Sequence, residues 1–536
     1  VKSFSKWNMD VSLLIPSIII VFSSCAYLAM NPMIAGEIIN LLFGWVTSNF
    51  GWLYLLTGIS CLGVMLYLAF SRYGNIRLGR ENDTPDFKKS SWISMLFCAG
   101  IGISLCNWAF IEPIYIMASP PLDIEAGTSA AIEWGAMYPL LHWGVVPWAI
   151  YLLPALPMAY NFYVRRVPIM RFSEACRPVL KGLVDGPIGK VIDLIVIISI
   201  IGAVGTSLGL SVPLVTSLLD SMFGIGDSLF VQFMVLASWI VMIGWSVYSG
   251  LGKGIQILSN INMVLALLLL AFVLFAGPTL FILQLSSNSL GLFLDNFFRV
   301  NTWTSPIDQD SFPSAWTIFY WAWWVAYAPM MGIFVATISK GRTIREFILN
   351  GVLWGAAGTS VFFMVWGGYS LHLDMTGTLA VADILNSEGI PKAVTAIVNN
   401  LPWSSIIAPL FIILCFIFLA TTVDSSAYTL ALITSKKIKI NEEPTRMNRA
   451  FWTLTLAFVG VGLLTVGGLK SAQTSTLVAA LPMIPVILIM VVSFFRMLKQ
   501  DFPEISTQKH VVLDGEGMVV VEVEQHTEKV AELTTT

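Results

Sequence analysis

The residues richest in chemistry are aromatic. From Ala315 to Pro329 the chain reads AWTIFYWAWWVAYAP. Coiled as a helix, Trp316, Tyr320, Trp324 and Tyr327 follow steps of four, four and three and share one face, with Trp323 flanking it. The bland alternative is an aromatic belt at a membrane–water interface. That suits Trp316, but Trp323, Trp324 and Tyr327 would lie about 10–17 Å deeper at 1.5 Å per residue. Electron-rich rings at such depth attract a poorly hydrated cation, with about 2 kcal/mol or more per desolvated contact. Quaternary ammonium groups are natural guests, because they donate no ordinary hydrogen bonds. Other rings sit at compatible depth on neighbouring apolar stretches: Tyr115, Trp143, Trp148, and Trp108 one turn beyond Ser104.

Hard oxygen ligands cluster elsewhere. Thr421-Thr422-Val423-Asp424-Ser425-Ser426 lies in a long apolar run, and its adjacent hydroxyls would suit sodium. A single Ser or Thr in a membrane helix usually bonds back to its own backbone, but a carboxylate there is expensive and points to a role. The stretch from Cys98 to Ser104 carries Gly100 and Gly102. Unwound backbone at that depth would line a cavity and offer carbonyls to a cation or substrate. Close helix packing through small residues is the equal alternative. Glu112 is a second intramembrane carboxylate, read here as a structural anchor.

Elements that position these groups follow from composition. Of 536 residues, 56% are hydrophobic and 11% charged, with mean hydropathy +0.79. Soluble domains carry about 25% charged residues, so the predicted fold class is an all-α polytopic membrane protein. A net charge of −3 gives no reason to expect a nucleic-acid partner. The six cysteines form no CxxC pair and read as small buried hydrophobes. At about 20 apolar residues per crossing, twelve spans are predicted near 11–30, 52–71, 91–118, 137–163, 189–219, 230–248, 258–282, 315–338, 346–371, 404–434, 450–468 and 474–496. With the N-terminus inside, all of the 29 Lys and Arg except Arg299, Lys392 and Lys470 fall on one side. The positive-inside rule then puts both termini in the cytoplasm. Residues 283–314 form a long outer segment whose first half reads as an amphipathic surface helix. Residues 497–536 read as an acidic, mobile tail.

Several motifs together resemble the betaine/carnitine/choline transporter family. FYWAWWVAYAPMMGIFVATISKGRTIREFI at 319–348 is close to the family signature. AGIGIS at 99–104, IEPIYIMASPP at 111–121, GTSLGLSVPLVT at 205–216, GLGKGIQILSN at 250–260 and TTVDSS at 421–426 support it. The likeness runs from the first span to the twelfth. It implies a LeuT-like fold: two helices (11–90, after a segment at 1–10), then inverted five-helix repeats at 91–282 and 315–496. It also implies trimers, an onium zwitterion as substrate and transport rather than enzymatic activity.

Carried over residue by residue, the resemblance makes Trp323, Trp324 and Tyr327 the central box, with Tyr115, Trp108, Ser104 and Asn107 beside it. Trp316, Trp143, Trp148 and Tyr320 become outer or access-path aromatics. Thr421 and Thr422 match a sodium-binding hydroxyl pair, completed by the backbone carbonyls of Cys98 and Ile101. Gln256 stands where sodium-independent members tend to carry an arginine, which favours sodium coupling. The chain also departs from the pattern. Asn107 replaces an aromatic or apolar residue, and Ser104 stands where choline-selective members tend to have aspartate. A second sodium site has Ser199 and Thr206 as hydroxyl candidates, whereas Met330 and Met331 are poor ligands for a hard cation.

The expectation is a sodium-coupled symporter of a betaine- or carnitine-like zwitterion in a bacterial-type inner membrane, with no cofactor beyond that ion. Three rivals stay open: a sodium-independent carnitine/γ-butyrobetaine exchanger, a choline transporter, and a transport-derived osmosensor. The acidic tail lacks the basic terminal helix expected of a lipid-coupled sensor. His142 and His372 appear isolated, so His142 is expected to cap or pack near the outer surface.

Overall fold

A computed structural model describes residues 8–100, 102–249, 254–438, 442–466, 477–503, 510–513 and 519–522. Helices lie at all twelve predicted positions. Nine described helices are long and apolar enough to cross a membrane, and a bent pair makes ten. The remaining two predicted spans coincide with α1 (Val11–Met30) and α14 (Arg446–Val466). The chain therefore places two helices before two sets of five spans. Five is odd, so the second set enters the membrane from the face opposite the first. Outside this helical body, β1 (His510–Leu513) and β2 (Val519–Glu522) pair antiparallel in the C-terminal segment, where the sequence suggests only a tail.

Boundaries differ from expectation where polar residues interrupt hydropathy without breaking a helix. α2 runs Pro32–Phe70, starting about 20 residues before the predicted span, because Glu37, Asn40 and Asn49 are tolerated within it. Pro32 at its first turn suits a helix start. The fourth span begins with α5 (Ser129–His142), where Thr128 caps the helix by accepting from the Ala131 N–H at 3.3 Å. It continues through α6 (Val145–Leu152) to residue 164.

The third span is divided. α3 (Lys89–Gly100) and α4 (Gly102–Ala118) meet at 66°. Of the two open readings of its glycines, close packing has a direct observation. A Cβ on Gly102 would sit 1.9 Å from the Phe418 ring, so only glycine lets α4 lie this close to the tenth span. After α7 (Pro187–Phe223), α8 (Leu229–Ser249) and α9 (Gln256–Ala276) comes the predicted amphipathic helix, α10 (Thr279–Thr302). Its buried edge carries Ile282, Ser289 and Phe293, while Leu280, Leu294 and Phe298 are exposed.

The second set contains α11 (Thr317–Ile338), α12 (Ile344–Phe362), α13 (Ser404–Ile433), α14 and α15 (Met483–Asp501). The window of span eight that crosses the membrane is entirely buried, which makes the aromatic helix the axis of the bundle. Its exit is locked to the loop after α2. Leu78 N–H donates to Arg342 O at 2.8 Å, and Gly341 N–H donates to Leu78 O at 2.7 Å. Gly341 has φ +80°, and a Cβ there would meet Thr84 backbone at 2.5 Å. Arg342, 1% exposed, lies 4.5 Å over the Trp92 ring and donates to Phe87 O at 2.9 Å.

Candidate functional site

The aromatic face of α11 forms the expected stack. Trp316 and Tyr320 have ring centroids 6.3 Å apart, Tyr320 and Trp324 5.7 Å, and Trp323 and Trp324 5.2 Å with planes 6° apart. α4 supplies the facing edge. Trp108 stands T-shaped to Trp316, Tyr320 and Trp323 at 6.2, 6.0 and 6.4 Å, and Tyr115 lies 5.9 Å from Trp316. Deeper in, Tyr151 of α6 closes on Trp324 at 5.3 Å and Tyr327 at 6.2 Å. The Tyr327 hydroxyl is 3.0 Å from Ser207 of α7. The sequence reading included neither Tyr151 nor Ser207. Ser104 and Asn107 are buried on α4, and neither the amide oxygen nor the amide nitrogen of Asn107 has a partner.

Three of the expected access-path aromatics belong inside instead. Trp143 is 1% exposed and stands edge-on to Trp324 at 4.8 Å. Tyr320 is 0% exposed. Trp148 points away from Trp316 altogether. It stacks on Phe97 at 6.1 Å and packs against Gly355 of α12. Trp143 and Trp148 differ because α5 and α6 are separate helices joined through Gly144, so helical spacing does not carry across them, whereas Tyr320 on the unbroken α11 is drawn in by its hydrogen bond to Glu112.

Behind these walls sits Glu112, fully buried. Its Oε2 accepts from the Tyr320 hydroxyl at 2.6 Å and the Trp143 indole at 2.8 Å. Its Oε1 accepts from His142 Nδ1 at 2.7 Å. The other His142 nitrogen faces the Thr317 hydroxyl at 3.1 Å, and the His142 carbonyl accepts the Trp324 indole N–H at 2.8 Å. His142 is therefore neither isolated nor at the surface: it is 0% exposed and ties α5 to α4 and α11. Glu112 does anchor helices, as expected, but it does so by holding the rings of the aromatic cluster. The available signal was the coincidence of a lone Glu and a lone His in adjacent apolar spans.

The hydroxyl pair meets the interrupted helix. Thr422 Oγ1 lies 3.3 Å and Thr421 Oγ1 3.5 Å from the Cys98 carbonyl oxygen. Thr421 also donates within its own helix, to Ile417 O and Phe418 O at 3.0 and 2.9 Å, leaving its lone pairs free to accept. Ile101 lies outside the described residues. On α9, the Ser259 carbonyl accepts from the Cys98 thiol at 3.6 Å, and the buried Asn262 amide lies beside the same thiol. At the proposed second ion position, Ser199 donates to Ala479 O at 3.4 Å and Thr206 to Gly202 O at 3.2 Å. The Met331 methyl would lie 2.8 Å from a Cβ on Gly100.

Asp424, two residues beyond Thr422, faces away from this oxygen cluster. It accepts from Arg449 Nη2 of α14 at 3.0 Å and from the Ser246 hydroxyl of α8. Both charges are buried, and Arg449 lies 5.2 Å over the Tyr428 ring. The pair holds α13 against α8 and α14.

The arrangement can hold an onium group among rings and an alkali cation among hydroxyl and carbonyl oxygens, on opposite sides of one broken helix. Homology agrees with that chemistry. A family model described as BCCT, betaine/carnitine/choline family transporter, matches residues 12–503, nearly the whole chain. This polytopic membrane protein belongs to the betaine/carnitine/choline transporter family.

Proposed function

We propose that the chain carries a zwitterion with a quaternary ammonium or analogous onium head, of the glycine betaine or carnitine type, coupled to sodium by alternating access. The observation that carries the substrate reading is a pair of unspent donors. Trp108 and Trp323, rings 6.4 Å apart, both have buried indole N–H groups without a partner. Other unpaired indoles occur at Trp148, Trp321 and Trp366, but none of these lines the Trp108–Trp323 contact. An onium head needs only ring faces, whereas a carboxylate needs donors, and an unsatisfied buried donor costs about 1–3 kcal/mol. A zwitterion answers both features.

Sodium coupling rests on the oxygen geometry. Two ligands at about 2.3–2.6 Å from one cation and at right angles to each other stand roughly 3.3–3.7 Å apart. The Cys98 carbonyl to Thr422 and Thr421 separations of 3.3 and 3.5 Å fall in that range. The polar side chains of α9 at Cys98, Ser259 and Asn262, are neutral, which favours an ion there over a fixed cationic side chain. Rocking of the bundle around the site would alternate access. The basic-residue asymmetry supports cytoplasmic termini in an inner membrane, and the apolar outer edge of α10 is compatible with a homotrimer among lipids.

A second reading has its own observation. Glu112 stands behind Trp143 and Tyr320, so negative charge lies close to the rings and would favour a net cation such as choline. Uptake of labelled betaine, carnitine and choline into proteoliposomes, with and without a sodium gradient, separates these readings. Sodium-driven uptake of the zwitterions is expected. Equal uptake in sodium-free potassium buffer would refute symport, and uptake driven only by substrate on the opposite side would establish an exchanger.

A further inference from the structure

A cleft of 710 Å³ lies between α3, α9 and α12, away from the aromatic cluster. Its volume falls in the range of about 300–1,000 Å³ that holds a ligand-sized molecule. Ile93, Phe97, Met263, Leu270 and Phe362 make its depth apolar. Leu267, Trp354 and Val361 at the rim are 55%, 55% and 43% exposed, so the cleft opens sideways, where spans meet hydrocarbon. Its polar lining is confined to one end: Lys89, Ser90 and Ser94 all come from the first turns of α3. Lys88, also exposed, adds a second positive charge there.

An apolar trough open to lipid with a basic, hydroxyl-bearing head has the shape of an amphiphile. A polar solute would leave the trough unfilled by matching groups, and a purely apolar one would leave Lys89 unanswered. We propose that the cleft binds an anionic diacyl phospholipid, with one acyl chain between α9 and α12 and the phosphate against Lys89, Ser90 and Ser94. The assignment rests on the orientation proposed above, which puts Lys89 at the cytoplasmic leaflet, where anionic headgroups concentrate. Its functional interest lies in the wall. Phe97 stacks on Phe362 at 5.9 Å and on Trp148 at 6.1 Å, and the next residue is Cys98, whose carbonyl faces Thr422. A chain filling the cleft therefore packs against α3, the half of the third span that carries the Cys98 carbonyl, and ties the proposed ion site to the lipid around it.

The test uses full-length protein in liposomes doped with phospholipids carrying a photoreactive diazirine in the acyl tail, with either a phosphoglycerol or a phosphocholine head. Peptides containing Met263 and Trp354 should be labelled well above those containing Phe230 and Val241, apolar residues exposed on α8. One lysine near the surface contributes about 1 kcal/mol, so the phosphoglycerol lipid should exceed the phosphocholine lipid about fivefold. Ala357→Phe, which projects a ring from the exposed rim into the cleft, should cut this labelling about tenfold at an unchanged melting temperature. Lys89→Gln should bring the headgroup ratio close to one while leaving tail labelling in place. Labelling at Met263 and Trp354 no stronger than at Phe230 and Val241, or unaffected by Ala357→Phe, would overturn the proposal. So would cross-linking of this face to a second copy of the chain. None of these readouts needs uptake, so failure of the lipid site and failure of the transport reading are separable.

Discussion

Two of the carboxylates buried in this bundle, Asp424 and Glu112, are satisfied in opposite ways. Asp424 meets a permanent cation: Arg449 reaches it at 3.0 Å, and a guanidinium does not give up its proton inside a protein. Glu112 meets His142, Trp143 and Tyr320, donors without a permanent charge, at 2.6–2.8 Å. The first pair clamps spans six, ten and eleven regardless of what the transporter holds. The second uses its carboxylate to set the angle of rings in the proposed binding box. A buried charge in a membrane protein marks a function by default, but the partner tells which kind. An arginine partner indicates architecture, and partners drawn from a binding surface indicate recognition.

The sharpest break comes from the clamp. Asp424→Ala leaves buried Arg449 with only its longer contact to Glu443 at 3.3 Å, and should destabilise the protein by up to about 3–5 kcal/mol, read as loss of thermal stability in detergent. Asp424→Leu combined with Arg449→Met should recover most of that loss, since a buried pair is often replaceable by apolar volume. Failure of the double variant to recover would show that the pair does more than hold helices.

Glu112→Gln should behave differently. It keeps shape but sets an amide N–H₂ against existing donors, at about 1–3 kcal/mol. The protein should remain folded while substrate affinity falls about tenfold, because Trp143 and Tyr320 lose their fixed orientation. If wild type prefers choline and this variant reverses the preference, the net-cation reading displaces the zwitterion. A paired ring deletion sharpens the contrast. Trp324→Leu, in the Glu112 cluster, should weaken binding at least about tenfold, equivalent to about 1.4 kcal/mol. Tyr428→Leu, in the Arg449 cluster, should leave binding within about twofold. Calorimetric titration of both variants checks this.

The smallest effect belongs to the hydroxyls. Thr421→Ala with Thr422→Ala should raise the sodium concentration for half-maximal uptake several-fold while leaving binding at saturating sodium nearly intact. Whatever factor sodium contributes to substrate affinity must appear reciprocally in sodium affinity. Unchanged sodium dependence in this variant would remove the ion assignment from the tenth span, even though Asp424 on the same helix continued to anchor it.

What the sequence made legible was whatever one helix determines alone. Steps of four, four and three placed Trp316, Tyr320, Trp324 and Tyr327 correctly, because they share an unbroken α11. The twelve segments were legible because hydropathy and basic residues both report the membrane. Lost were relations between helices. Trp143 and Trp148 looked alike in one span, yet the joint at Gly144 sends one to Glu112 and the other to Phe97. Ser259 and Asn262 were not legible as neighbours of Cys98, because facing depends on where α9 begins and how it is rotated. His142 looked idle because its partner comes from another span.

The bend of the third span has an electrostatic consequence. A straight helix keeps its peptide dipoles along one line, with the partial charges of its ends far apart at the membrane faces. With α3 and α4 meeting at 66°, the dipoles of the two halves point in different directions. That of α3 runs toward the Cys98 carbonyl and the Thr422 hydroxyl, and that of α4 runs past Ser104 and Trp108. The proposed ion and substrate positions would therefore feel differently directed fields from a single span, and a change that straightened it would alter both together.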